Sequence, residues 1–332
     1  MKPLIHALLA TVLFALSARA GNFDDMVPSA PADGHFKSRK MHVISPMSNI
    51  YNRMPGTKPA QPVDPDEGSP DGLVSQAFMG EDVEVSDLRG RFAKVRLDGH
   101  ESWMKAGDLA DGGMDCHVNS RVGSVSAAAD VKGKPLELFM GTGVCATGKT
   151  SGERSEIRLG NGQTGWINTA DLMPQTEGEH ADGAYGINSS NGNQNSSGND
   201  GGTNTAVEQA RKFKGVPYVW GGTSKNGIDC SGLTSVAYRS AGKSIPRTAH
   251  EQFKSAQQIK REELQPGDLI FLGSTAKITH VIMYTGDDNV IEAARPSVTE
   301  HGYNRGQFFG RVGDGQGGGQ SNGKRQSGKK RG

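Results

Sequence analysis

Between residues 175 and 202 the sequence collapses into Gly, Asn, Ser and Gln, with few apolar side chains. Such a stretch cannot bury itself, so it reads as a flexible linker, and no single core runs through it. The chain must therefore fold as separate units on either side. At 332 residues it is long enough for two or three, each with its own core.

Ahead of the linker the pattern is one of short alternating segments: Met41 to Ile44, residues 72–78, Asp82 to Val85, Phe92 to Leu97 and Glu101 to Met104. Period-two alternation broken by Gly and Asp turns predicts a small all-β barrel over residues 41–111. Residues 55–70, rich in Pro, Asp and Gly, form a long loop between its first strands. A second unit over residues 113–174 repeats the first. Val95-Arg96-Leu97, Trp103 and Asp108-Leu109 are answered by Ile157-Arg158-Leu159, Trp166 and Asp171-Leu172, with the same step from Trp to Asp-Leu. That echo points to duplication. Each Trp is expected to fill the end of a barrel core.

After the linker, Thr205-Ala206-Val207-Glu208 reads as a capping box opening a helix through Phe213, which Gly215 ends. The Gly-rich stretch Pro217-Tyr218-Val219-Trp220-Gly221-Gly222 follows, and then Gly227-Ile228-Asp229-Cys230-Ser231-Gly232. Asp229 is a good N-cap, Leu233, Val236, Ala237 and Ala241 recur at helical spacing, and Gly242 stops the run. Cys230 thus stands at a helix start, where unpaired N–H groups and the helix dipole favour thiolate over thiol. Fifty residues on, Thr279 to Tyr284 alternates as a strand carrying His280. Residues 286–289 supply a turn, and Val290 to Ala294 returns, which lets Glu292 lie beside His280. A nucleophile, a base and an orienting acid are in place.

The motifs Pro-Tyr-Val-Trp-Gly-Gly, Asp-Cys-Ser-Gly-Leu, Ile245-Pro246-Arg247-Thr248, residues 265–271 and Thr279-His280-Val281 occur in an order that resembles the NlpC family of papain-like cell-wall cysteine peptidases. The resemblance covers residues 203–312. It implies an α+β papain-like catalytic domain, with Cys230 as nucleophile, His280 as base and Glu292 as the third polar group. Glu292 departs from the family pattern, which usually has His there and sometimes Asn or Gln. Arg247 is either a binder of a substrate carboxylate or half of a structural ion pair. A serine common two residues beyond this Arg is Ala249 here, so one substrate hydrogen bond is missing or comes from Thr248.

The two β units resemble bacterial Src-homology-three-like domains. Family members built this way cut stem peptides between γ-D-glutamate and a diamino acid, and their first barrel walls one end of the cleft. On this basis Tyr218, Asp229 and Ser231 are the candidate substrate-binding residues, with Asp229 pairing a free L-Ala amine and the Tyr218 phenol facing an oxyanion. His100 and Glu101 are candidate wall residues. The expected activity is that of a peptidoglycan endopeptidase acting on stem peptides or muropeptides. The alternatives are a wall-binding or adhesive protein with a vestigial peptidase domain, and an exported amidase toxin.

Residues 1–20, with Lys2, an apolar run from Leu4 to Leu16 and Ser17-Ala18-Arg19-Ala20, have the layout of a cleavable secretory signal. The protein is expected to be secreted or periplasmic, without stable membrane insertion. Of three cysteines, Cys116 and Cys145 fall together and either pair or stay free, which leaves Cys230 as the odd thiol. Net charge is only +1, so nothing global points to nucleic acid. His250, His301 and the earlier histidines lack metal-ligand spacing and read as surface or structural, so no metal or cofactor is expected. The chain is expected to act as a monomer. Residues 313–332, Gly-rich and ending in Lys and Arg, read as a disordered basic tail.

Overall fold

The computed structural model describes residues 37–58, 68–97, 100–112, 116, 118–174 and 201–313. The expected signal, most of the expected linker and all but the first residue of the expected basic tail lie outside the described residues. No described helix is long and apolar enough to cross a membrane.

The first unit contains β1 (Arg39–Val43), β2 (Met47–Tyr51), β3 (Leu73–Phe78), β4 (Asp82–Arg89), β5 (Phe92–Leu97), β6 (His100–Lys105) and β7 (Leu109–Asp111). The second contains β8 (Ser120–Val122), β9 (Ser126–Val131), β10 (Lys134–Phe139), β11 (Gly143–Ser151), β12 (Arg154–Arg158), β13 (Thr164–Asn168) and β14 (Leu172–Pro174). The sheets run β3-β2-β6-β5-β4-β1-β7 and β10-β9-β13-β12-β11-β8-β14, so the strand order of one is the strand order of the other. The Asp-Leu echo has a physical basis. Asp108 accepts a hydrogen bond from Ser48 Oγ at 2.7 Å, and Asp171 accepts one from Ser124 Oγ. Both carboxylates sit in the short 3₁₀ turn before the last strand, tying it to the start of the second.

Cys116 and Cys145 form a disulfide in the second unit, and Cys230 is free. The tryptophans depart from the expectation. Ser102 and Met104 are buried, so strand alternation turns Trp103 outward, where the guanidinium of Arg89 lies 5.6 Å and the ammonium of Lys94 5.9 Å from the ring centre. Gly165 and Ile167 bracket Trp166 in the same way. Smaller residues such as Met41, Val43, Ile50 and Val85 fill the first core.

The third unit begins with α1 (Gly201–Arg211), which starts four residues ahead of the expected cap and leaves Thr205 inside the helix. Its buried face of Ala206, Val207 and Ala210 packs into the same core as α2 (Cys230–Ser240), so docking rather than a capping box sets the helix. Between them lie β15 (Thr223–Ser224) and β16 (Gly227–Ile228); α3 (Ala249–Ser255) follows α2. The sheet is built from β17 (Gln257–Ile259), β18 (Leu269–Ser274), β19 (Lys277–Gly286), β20 (Asn289–Ala293), β21 (Val298–Gly302) and β22 (Phe308–Arg311). Its order is β17-β22-β18-β19-β20-β21. Leu269, Phe271, Val281, Met283 and Ile291 meet Leu233, Val236 and Ala237 of α2 in one core. Tyr238 Oη donates to the carbonyl of Gly267 at 2.6 Å and pins α2 to the turn before β18.

The units are docked through shared buried groups. Phe78 of the first stacks on Phe139 of the second at 5.9 Å, while Arg239 of the third lies 4.9 Å over the Phe78 ring and pairs with Glu81. Burial pushes the Glu81 carboxyl up, against the pull of the Arg239 guanidinium. A Cβ on Gly160 would meet the Gly80 backbone nitrogen at 2.6 Å, so the two barrels touch backbone to backbone. Replacing Phe78 with Ala removes a side chain at 0% exposure from this three-way junction and should cost about 3–5 kcal/mol in denaturant unfolding. An unchanged midpoint would show that the units do not depend on that ring.

Candidate active site

The loop from Pro217 to Asp229 carries the site's first half, and its geometry follows from one carboxylate. Asp229, extended at φ −98°, caps α2 by accepting from Gly232 N at 2.6 Å through Oδ1. Its Oδ2 accepts from Gly221 N at 2.8 Å. Arg247, at 2% exposure, closes the pair with Nη1 to Oδ1 at 3.0 Å and Nη2 to Oδ2 at 2.7 Å. The same Nη1 donates to Ser231 Oγ at 2.9 Å. Of the two readings given to Arg247, the structure contains the ion pair. Thr248 is used as the N-cap of α3, accepting from Glu251 N at 3.3 Å.

This network reaches into the first β unit. Arg247 Nε donates to Ser75 Oγ at 3.0 Å, and Thr223 N donates to Gln76 Oε1 at 2.9 Å. Gly221, at φ +78°, presses on β3: a Cβ there would stand 2.7 Å from the Leu73 carbonyl oxygen. His100 and Glu101 are exposed on β6, and Glu101 pairs with Lys94. The first unit therefore meets the cysteine loop through Leu73, Ser75 and Gln76. No sequence signal marks these residues, because their role arises only when a strand meets a loop some 150 residues away.

Cys230 opens α2 at 8% exposure. Tyr218, half-buried, lies within electrostatic reach of Cys230 and Asp229; burial first, and then those two negative groups, push its phenol up, so it stays a hydrogen-bond donor. Arg295 stacks 5.4 Å over the same ring.

The second half comes from the β19–β20 hairpin. Asp287 at φ +50° and Asp288 at φ +53° make its two-residue turn in the left-handed region. Met283 pairs with Ile291; one step further, Glu292 comes level with Ile282, diagonal to His280. His280 Nε2 bonds Glu292 Oε2 at 2.5 Å, and Cys230 is near enough to the ring to raise its pKa. With Nε2 taken, Nδ1 is the ring nitrogen left for the sulfur. Glu292 is 4% exposed, and its Oε1 is bonded by His301 Nε2 at 2.9 Å. Arg305 Nη2 bridges both oxygens at 2.8 and 2.7 Å. His301, expected to be surface or structural, is thus a partner of Glu292, and no local sequence signal marks Arg305.

Burial alone would lower the His280 pKa, but its bonds to Cys230 and Glu292 and their charges outweigh it and raise the value from 6.5 to about 9. Burial likewise opposes ionisation of Glu292, yet the hydrogen bonds from His280 and Arg305 hold it at about 2, below the ordinary 4.5. The structure thus brings Cys230, His280 and Glu292 together at the mouth of one helix, an arrangement suited to attack by sulfur with proton transfer through the ring.

Residues 215–311 match the NlpC/P60 family. The match falls within the third unit. Among curated relatives, a gamma-D-glutamyl-L-lysine dipeptidyl-peptidase of Bacillus cereus is 29% identical over 243 residues, 67% of this chain and 68% of the relative. A bifunctional muramidase/DL-endopeptidase of Bacillus subtilis is 40% identical over 93 residues, which span 27% of this chain and 28% of the relative. An NlpC/P60 family protein from Bacillus cereus has the same overall fold, with a TM-score of 0.65 at 23% identity over 82% of this chain and 99% of its own. The NlpC/P60 unit is a hydrolase of the cysteine-peptidase kind.

The His280–Glu292 pair sets a pH window for stability. His280 is raised, so its contribution is complete below pH 6.5 and is lost as pH climbs through about 9. Glu292 is depressed, so its share is complete above pH 4.5 and is lost as pH falls through about 2. Unfolding free energy of His280→Ala, measured by urea between pH 5 and 10, should lose the decline seen in the parent above pH 7; parallel curves would mean the pair is not coupled.

Proposed function

We propose that the chain is an exported peptidoglycan hydrolase, a cysteine endopeptidase that cuts cell-wall stem peptides at the γ-D-glutamyl–diamino acid bond. The observation that carries this reading is His280, bonded to Glu292, brought close to Cys230 at the N-terminus of α2. The Cys230 sulfur attacks the γ-glutamyl carbonyl, and the Cys230 N–H and the Tyr218 phenol steady the oxyanion. His280 gives its proton to the leaving amine and then takes one from the water that resolves the thioester. Glu292 holds the ring so that Nδ1 faces the sulfur through both steps.

Asp229 and Ser231 border the acyl side of this site, locked there by Arg247. Both oxygens of Asp229 already accept from protein donors, so it offers a substrate amine a fixed position more than an open lone pair. The two β units are read as bacterial Src-homology-three-like domains; the first reaches the site through Ser75 and Gln76. The signal-like N-terminus and the Cys116–Cys145 disulfide both fit an oxidising, extracytoplasmic setting.

Mass spectrometry of the products from a defined muropeptide mixture tests the bond. The expected products end in γ-D-glutamate, form faster when the L-Ala amine is free, and fall at least about a hundredfold in turnover for Glu292→Gln. Cleavage at another bond would refute the substrate assignment, and a near-normal Glu292→Gln rate would make that residue scaffold.

A further inference from the structure

Glu292 carries more donors than a ring-holding residue needs. A Glu side chain has a broad terminal torsion, and at 4% exposure its carboxylate has no water to complete its bonds. Bonded to His280 alone, it would leave Oε1 as a buried, uncompensated half of a charge and remain able to turn.

The structure fills that gap from neighbouring elements. Thr299 of β21 pairs with Glu292 of β20, and His301, two residues further along, reaches Oε1 at 2.9 Å. Arg305, in the segment between β21 and β22, bridges Oε1 at 2.8 Å and Oε2 at 2.7 Å with a single Nη2. Each carboxylate oxygen then has two donors: Oε2 from His280 and Arg305, Oε1 from His301 and Arg305. His301 Nδ1 also bonds the Gly302 carbonyl oxygen at 2.9 Å.

We propose that Arg305 and His301 are positioning residues that fix the plane of the Glu292 carboxylate, and through it the ring of His280, in the peptidase reaction assigned above. This rests on that assignment for its effect on turnover, but the geometric part does not. Neither residue touches the sulfur; both act through Glu292. The clamp takes its residues from β21 and from the segment after it.

Proton NMR of the full chain tests the geometry without substrate. The parent should show a far-downfield ring N–H resonance from the His280–Glu292 bond, absent in Glu292→Gln. In Arg305→Gln this resonance should broaden or move upfield, with the same but weaker change in His301→Gln, while Arg305→Lys, which keeps a charged donor, should retain it. On muropeptide, Arg305→Gln should lose about tenfold in kcat with KM within about twofold, as expected of a misaligned base, and Arg305→Lys should recover most of the rate. Melting temperatures accompany each variant, and a variant that does not fold is replaced in the comparison by Arg305→Lys against His301→Gln. An Arg305→Gln protein that keeps the resonance, or that loses kcat only in step with its melting temperature, overturns the proposal. A parent with the resonance but no peptidase activity would refute the functional assignment and leave the clamp standing.

Discussion

The Asp229 carboxylate is the point from which the rest of the catalytic unit is built. It caps α2, ties down Gly221 of the preceding loop and neutralises Arg247, so the first turn of the helix and the loop over it share one anchor. A buried carboxylate is tolerated only because every lone pair has a donor, and a buried Arg only because its fork is filled. That mutual requirement sets where Cys230 stands. It also draws in Ser75, so the first β unit completes the polar shell beneath the cysteine loop.

From the other side, the β19–β20 hairpin brings a second buried carboxylate with the opposite task. Asp229 immobilises backbone; Glu292 immobilises a ring. The two anchors sit on different layers, a helix start and a sheet, and the Cys230–His280 contact is where the layers meet. Burial is unfavourable to both charges, and in both cases an arginine, Arg247 or Arg305, compensates. Electrostatics therefore specify the geometry here more than they add net stability.

Much of this was legible in the sequence where a local rule suffices. Alternation alone marked Phe92 to Leu97, and Asp229 with the spacing of Leu233, Val236 and Ala237 marked α2. The turn residues Asp287 and Asp288 are enough to place Glu292 next to His280. What escaped depends on partners distant in the chain. Met47 to Tyr51 is a strand only because β3 and β6 flank it. Trp103 invited a core role by size, yet strand parity with Met104 sends it outward. His301 looked unremarkable because its partner is defined by cross-strand pairing of β20 with β21, and Arg305 because it reaches back from an irregular segment.

The central claim is that the reactivity of Cys230 belongs to its pairing with His280. The rate of iodoacetamide alkylation of Cys230 against pH, in the parent and in His280→Ala, measures this most directly. At every mildly acidic pH the parent should react many times faster than His280→Ala. Superimposable profiles for the two proteins would contradict the account.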